Sequence, residues 1–203
     1  MIDRLVVASN NPGKLREFAA LFAPLGIEAI AQGTLGIGEA EEPHPTFVEN
    51  ALAKARHASA ASGLAALADD SGLCVDALDG APGVRSARYA EAGAGLARDD
   101  QDARNNARLV AALDGVARRS AHFVCVLALV RRADDPEPVI ATGRWPGTIV
   151  DAPRGTQGFG YDPHFLVDGL DRTAAELGPE IKNRMSHRAM ALRRLIDLLK
   201  ADR

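Results

Sequence analysis

Residues 4–32 have the sequence RLVVASNNPGKLREFAALFAPLGIEAIAQ, and this stretch decides the fold class. Its first apolar run is short and ends in turn-forming residues, which predicts a buried strand. Four apolar residues then recur at helical spacing: Leu15, Phe18, Ala19 and Phe22. Gly26 ends the predicted helix, and IEAIAQ predicts a second strand. The order strand, polar loop, helix, strand is typical of an α/β fold.

A second helix is predicted after Thr46, because TFVE has the spacing of a capping box. Its apolar positions, Val48 among them, predict the buried face, and Asn50 and Lys54 are predicted on the opposite face. A strand from about Leu64 is predicted to end at Asp69-Asp70-Ser71-Gly72, and LCVDAL predicts another strand beyond that turn.

The second half of the chain continues the alternation of helices and strands. Residues 90–100 predict an exposed loop, and 102–113 a helix that buries Ala107, Val110 and Ala111. Two long β-type runs at 122–130 and 138–150 predict a hairpin, and a last helix is predicted from about Ser186. The sequence therefore predicts a mixed β-sheet with flanking helices, in which a long hairpin is antiparallel.

Composition excludes several classes of function. The 203 residues carry a net charge of −3, so nothing attracts the chain in general to nucleic acid polymers or anionic membranes. Two cysteines cannot form a disulfide framework or a four-cysteine zinc site. With no apolar run of about 18 residues and no leader pattern, the expectation is a soluble cytoplasmic protein. The length predicts one domain, residues 1–203, or two joined lobes.

The loop after the first strand is the first of four candidate sites. It comprises Ser9, Asn10, Asn11, Pro12, Gly13 and Lys14. Free backbone N–H groups at a helix N-terminus, together with the Lys14 ammonium, are suited to hold phosphate oxygens. The alternative is an ordinary strand-to-helix turn, in which asparagine and glycine serve the backbone.

Carboxylates form the second candidate site. Because neighbouring side chains of a strand point to opposite faces, one of Asp69 and Asp70 is expected to enter any given site. An aspartate there can hold Mg²⁺ or activate water, and an acidic stretch at 39–42 could add a second carboxylate. The alternatives are a simple turn and a solvated acidic loop.

The third and fourth candidate sites lie near the C-terminus. Glycines flank Phe159 and Tyr161, so the backbone could approach a ligand while a ring stacks on a base; the alternative is a turn with its rings in the core. Lys182, His187 and Arg188 predict a basic cluster at the start of the last helix. Such charges oppose the helix dipole, so either an anionic ligand or plain solvent exposure explains them.

Five segments in one order carry a family resemblance: SNNPGK, TFVENALAKAR, ADDSGLCVDALDGAPGVRSARY, GFGYDPHF and KNRMSHRAMAL. Together they resemble the inosine triphosphate pyrophosphatase family. Members hydrolyse the non-canonical purine nucleoside triphosphates ITP, dITP and XTP to the monophosphate and pyrophosphate, which clears deaminated purines from the nucleotide pool. The resemblance implies a two-lobed α/β fold around a long mixed sheet, a cleft between the lobes, dependence on Mg²⁺, and a homodimer.

The resemblance also implies roles for individual residues. It makes Asp70 the catalytic acid–base residue and a metal neighbour, and Glu41 the second residue that holds the metal. It implies that the substrate contacts Ser9, Asn10, Asn11, Pro12, Gly13, Lys14, Lys54, Ser71, Phe159, Gly160, Tyr161, Asp162, Lys182, His187 and Arg188.

Three other functions stay open on the sequence. A pyrophosphatase of similar fold could act on modified pyrimidine or methylated nucleotides. A nucleotide-binding module would lack catalysis, although the presence of Glu41, Asp70 and Lys14 together favours an enzyme. A general phosphohydrolase would release orthophosphate in place of pyrophosphate.

Overall fold

A computed structural model describes residues 2–90 and 97–201, which form six strands and five α-helices. The strands are β1 Arg4–Val7, β2 Glu28–Ala31, β3 Ala65–Val75, β4 Ser120–Val130, β5 Val139–Ile149 and β6 Phe165–Val167. The helices are α1 Pro12–Phe22, α2 Phe47–Ser62, α3 Arg98–Ala112, α4 Pro179–Met185 and α5 His187–Ala201.

The strands form one mixed, open sheet in the order β2-β1-β3-β4-β5-β6. β1 is parallel to both of its neighbours: Leu5 is in register with Ala29 of β2 and with Ala65 of β3. β6 runs antiparallel to β5. The predicted α/β class with a mixed sheet is confirmed.

The chain divides into two compact units. Unit 1 comprises Met1–Asp70, Val126–Thr142 and Ala191–Arg203, and unit 2 comprises Ser71–Cys125 and Gly143–Met190.

The core of unit 1 lies between its helices and its strands. Phe18 and Phe22 of α1 are fully buried, as the helical spacing predicts, whereas Ala19 of the same predicted face is exposed. α2 lies against β1 through small residues, so that helix and strand approach closely. The buried face of α2 differs from the predicted one: Val48 is 39% exposed, whereas Asn50 is fully buried. The Asn50 amide can be buried because its donor and its acceptor both have hydrogen-bond partners.

β3 is a single strand of 11 residues, and the predicted turn at 69–72 does not exist. Residues Asp69 and Asp70 continue the strand and are buried, at 3% and 8% exposure. Polar residues of this kind usually signal a turn. Here they stay in the strand, which places two adjacent carboxylates in the middle of a buried element.

Unit 2 has an aromatic core. Phe123 and Phe165 lie with ring centroids 4.5 Å apart, and Trp145 lies 5.7 Å from Phe165. Leu109 of α3 and Leu113, the residue directly after the helix, pack in this core.

Two predictions for the region of α3 need correction. Ala107 and Ala111 are exposed, so the predicted buried face is wrong. The helix also begins earlier than predicted, at Arg98, because acidic residues in its first turn favour a helix start. Of the predicted loop at 90–100, residues 91–96 lie outside the described residues.

The C-terminal segment forms two helices where the sequence predicts one. α4 ends at Met185 and α5 begins at His187, with Ser186 between them accepting a hydrogen bond from the Ala189 N–H at 3.3 Å. Lys182 therefore lies in the last turn of α4, where a positive charge is favourable to the dipole. The expectation that Lys182 opposes a helix dipole is therefore wrong. No described helix combines the length and the apolar character needed to cross a membrane.

We expect Asp135→Asn to lower the free energy of unfolding by about 1–3 kcal/mol, because its buried carboxylate organises the β4–β5 turn. It accepts hydrogen bonds from Arg131 Nε at 2.9 Å, Arg131 N at 2.9 Å and Glu137 N at 3.0 Å. These bonds hold the pKa of Asp135 at about 2 in spite of burial, which alone would raise it. The stabilisation is therefore complete above the unfolded-state pKa, about 4, and is lost as pH falls toward 2.

Urea denaturation at several pH values measures this effect. The control is Asp134→Asn, which removes an exposed carboxylate from the same turn. Equal midpoints for the two variants at neutral pH would contradict the role of Asp135.

Candidate active site

Two carboxylates of β3 each have a separate lysine partner. The Lys14 ammonium lies 2.9 Å from Asp69 Oδ1 and 2.8 Å from Asp69 Oδ2, and Lys54 Nζ lies 3.1 Å from Asp70 Oδ1. Adjacent strand residues point to opposite faces, so one cation cannot serve both aspartates. The sequence predicts this separation; it does not predict that Asp69 also has a lysine partner.

Lys54 also binds a second carboxylate. Its Nζ lies 2.6 Å from Glu42 Oε1, so two carboxylates meet at one ammonium within unit 1. Burial raises the pKa of Asp70, and the Glu42 charge raises it further, against the opposing effect of Lys54. Burial alone would lower the pKa of Lys54, but Asp70 and Glu42 outweigh it and raise that pKa. Lys54 thus remains charged, and two carboxylates share this one ammonium group.

Asn50 fixes the acidic segment beside this cluster. Its side-chain oxygen accepts a hydrogen bond from the His44 N–H at 3.0 Å, and its amide nitrogen donates to the His44 carbonyl at 3.1 Å. The same nitrogen lies 3.4 Å from Asp70 Oδ2. Asn50 and Lys54 are four residues apart and share a face of α2, which is the sequence signal for this pair. The prediction that the face points away from the core is wrong for Asn50.

The glutamate that the structure brings to Lys54 is Glu42, one residue beyond the predicted Glu41. Glu41 is exposed, and its role in holding a metal stays a prediction. Within residues 2–90 and 97–201 no group of three or more His, Cys, Asp or Glu side chains could hold a metal ion. The Asp70 and Glu42 oxygens are a donor pair for a cation such as Mg²⁺, which commonly binds one or two carboxylates together with waters and substrate phosphates.

The loop before α1 is ordered by its own side chains. Asn11 is the N-cap of α1, and its side-chain oxygen accepts hydrogen bonds from Gly13 N at 2.9 Å and Lys14 N at 3.2 Å. The Ser9 hydroxyl accepts from Asn11 N, and Asn10 donates to Glu39 Oε1 at 3.2 Å. These contacts explain Asn11 as a cap residue, and they tie Asn10 to Glu39. An anion at this helix end would compete with the Asn11 side chain for Gly13 N and Lys14 N.

In unit 2 a buried carboxylate organises the glycine-rich segment. Asp162 Oδ2 accepts from Phe159 N at 3.0 Å and from Lys182 Nζ at 2.6 Å. Gly158 has φ +88°, and a Cβ there would lie 2.1 Å from Asp162 Oδ2, so a side chain is excluded at this position. The Phe159 ring is 55% exposed, and the Arg98 guanidinium lies 5.0 Å from its centroid.

The two aromatic rings of this segment have different environments. Tyr161 is buried in the core of unit 2, where its hydroxyl donates to the Ser86 carbonyl at 2.8 Å. Burial raises the pKa of Tyr161, so the hydroxyl stays protonated. The sequence analysis left open that the rings of this segment lie in the core. This holds for Tyr161, whereas the ring of Phe159 is exposed to solvent.

The remaining predicted site residues are half-buried. The His187 ring stacks on Phe123, with centroids 5.1 Å apart and planes 17° apart. Arg188 follows it in the first turn of α5, and Ser71 follows Asp70 in β3. Arg98 is a group of these clusters that the sequence analysis does not place in a site, whereas Glu42 and Asp69 are among the carboxylates it considers.

Comparison with known proteins agrees with the geometry over nearly the full length. Residues 5–198 match the model of the Ham1 family. A dITP/XTP pyrophosphatase of Burkholderia pseudomallei is 67% identical over 194 residues, which cover 96% of this chain and 92% of that protein.

Solved structures give the same result. A HAM1 protein from Coxiella burnetii superimposes with a TM-score of 0.91 at 46% identity, covering 99% of this chain and 100% of that one. A nucleoside-triphosphatase / dITP/XTP pyrophosphatase from Mycobacterium abscessus has a TM-score of 0.75 at 43% identity, with 97% and 98% coverage. The sequence matches the family model over residues 5–198, and the fold matches that of a solved HAM1 protein over almost the full length of both chains. The chain therefore belongs to the Ham1 family.

Proposed function

We propose that this chain hydrolyses the non-canonical purine nucleoside triphosphates dITP, ITP and XTP to the monophosphate and pyrophosphate. The observation that carries the proposal is the cluster of Asp70, Glu42 and Lys54 in a chain 67% identical to a dITP/XTP pyrophosphatase. The enzyme is thus a hydrolase acting on an acid anhydride. Its place in the cell is the cytoplasm, and its assembly is a homodimer, as the family resemblance implies.

Two lysines of unit 1 bind the triphosphate. Lys14 and Lys54 each have a carboxylate partner on β3, so their ammonium groups are already in place before an anion arrives. Phosphate oxygens bind the same two ammonium groups, so each ammonium is shared between an aspartate and a phosphate. Fixed positive charge of this kind stabilises the charge that develops on the leaving pyrophosphate.

Mg²⁺ fits the carboxylate oxygens of the same cluster, which are the hard ligands this ion prefers. Asp70 and Glu42 would hold it through carboxylate oxygens, with phosphate oxygens and waters as the other ligands. When bound, it supplies Lewis-acid neutralisation of the phosphate chain. The resemblance assigns this contact to Glu41, and the structure supports Glu42 as the alternative.

Asp70 accepts the proton of the attacking water. A carboxylate whose pKa is raised by burial and by the Glu42 charge is a better base than an exposed aspartate. Water attacks the α-phosphorus, the bond to the β-phosphate oxygen breaks, and pyrophosphate leaves with the electron pair.

Groups of unit 2 bind the base. Phe159 offers a half-exposed ring to stack on a purine, and His187 and Arg188 supply hydrogen-bond donors for a 6-oxo group. The 6-amino group of adenine would leave those donors unpaired, which disfavours ATP.

Steady-state assays with ITP, dITP, XTP, GTP and ATP, with and without Mg²⁺, test the reaction and the base preference together. We expect Mg²⁺-dependent release of pyrophosphate from the first three and slow reaction of the last two. Orthophosphate as the first product would overturn the assignment. Binding of ITP without turnover would favour the nucleotide-binding module.

We expect Asp70→Asn to lower kcat by at least ~100-fold, because the amide can neither accept the water proton nor hold a cation as a carboxylate does. The circular dichroism spectrum and thermal midpoint report whether the fold is retained. Asp114→Asn, which changes an exposed aspartate, is the matched control. Near-normal kcat for Asp70→Asn would remove Asp70 from the mechanism.

Two neighbouring variants decide which glutamate acts with Asp70. We expect Glu42→Gln to raise the Mg²⁺ concentration that gives half-maximal rate, and to lower kcat about tenfold, because it removes the carboxylate beside Asp70. Glu41→Gln, one residue away and exposed, should change neither by more than about twofold. The reverse order of effects would support Glu41 as the metal residue.

A further inference from the structure

Arg98 occupies a position in α3 that helix stability does not explain. It is the first residue of the helix, where a positive charge opposes the helix dipole. Its side chain is exposed, and within residues 2–90 and 97–201 its one described interaction is with the Phe159 ring. The guanidinium carbon lies 5.0 Å from the ring centroid, within the range of a cation–π contact.

Hydrogen bonds from the same face of α3 set this distance. Asp102 accepts from Gly160 N at 2.8 Å, and Asn106 donates to the Gly160 carbonyl at 2.8 Å. Arg98, Asp102 and Asn106 follow one another at intervals of four residues, which places them in one row along the helix. α3 is therefore fixed to the segment that carries Phe159, and the first member of the row is beside the ring.

The two cations near the Phe159 ring differ in their carboxylate partners. Lys182 Nζ lies 6.0 Å from the ring centroid, but its charge is balanced by Asp162 at 2.6 Å. Arg98 has no such carboxylate within the described parts of the chain, and it is the less compensated of the two cations. A base stacked on Phe159 would thus lie close to a positive charge.

The substrate bases differ in their own charge. Xanthine has a second oxo group that makes a ring N–H acidic, so the base is partly anionic near neutral pH. Hypoxanthine lacks that group and stays neutral there. A nearby guanidinium favours the anionic base and is indifferent to the neutral one.

We propose that Arg98 is a specificity-determining residue that favours XTP over ITP. The inference rests on the proposed function, because it takes Phe159 as the stacking platform for the base. The proposal goes further in naming Arg98 as a residue that selects among these substrates, and the ionisation of the base as the property it recognises.

The test compares kcat/KM for XTP and ITP in Arg98→Gln across the pH range in which xanthine ionises. We expect the XTP-to-ITP ratio to fall about three- to tenfold, which is the scale of one charge contact near a surface. In the unmodified enzyme the ratio should rise with pH as xanthine loses its proton, and in Arg98→Gln this rise should flatten. Arg98→Lys, which keeps the charge, should restore most of the ratio.

Arg104→Gln is the matched control, since it removes an exposed arginine from another face of α3. An unchanged ratio in Arg98→Gln, or a loss that Arg98→Lys does not restore, would overturn the role of Arg98. If the enzyme releases pyrophosphate from neither substrate, the proposed function fails. Calorimetric titration with the xanthosine and inosine monophosphates then tests Arg98 alone, and equal loss of both affinities would overturn it.

Discussion

The separation of two adjacent carboxylates on one buried strand is the constraint on which unit 1 depends. Side chains alternate along β3, so Asp69 and Asp70 cannot share a cation, and each needs its own. Lys14 of α1 and Lys54 of α2 meet this requirement. A buried carboxylate without a partner would cost several kcal/mol, so the positions of both helices are tied to the strand. The same arrangement fixes the positions of the two ammonium groups.

Unit 2 solves a similar problem with a different element. Asp162 is buried, and its oxygen is satisfied by the Phe159 N–H and by Lys182. The close approach leaves no room for a side chain at Gly158. The backbone turn, the lysine and the exposed ring are thus consequences of one carboxylate. The Phe159 backbone is thus held through its own N–H while its ring stays exposed.

The sequence predicts the elements well where apolar periodicity is strong, as in α1, and it predicts the opposite orientations of Asp69 and Asp70. It fails where a polar residue is buried because its partners are distant in sequence. The Asp-Asp-Ser-Gly segment has the composition of a turn, and only the lysines 55 and 16 residues away make it a strand. The prediction for Asn50 is wrong because its partners are the backbone groups of His44, which precede the helix and which helical periodicity does not show. Neither periodicity nor composition distinguishes Glu42 from Glu41.

The two kinds of site residue tolerate change very differently. Asp69, Asp70 and Asp162 are buried and each binds a lysine, so replacing any one removes a carboxylate partner of that lysine and perturbs fold and chemistry together. Phe159 and Arg98 are exposed, and a substitution there leaves no buried group unsatisfied. If the proposed roles hold, the phosphate-binding residues of unit 1 are also required by the fold, whereas Phe159 and Arg98 beside the base are not. Under the proposed function, a chain of this fold can change which base it accepts without rebuilding the groups that break the phosphate bond.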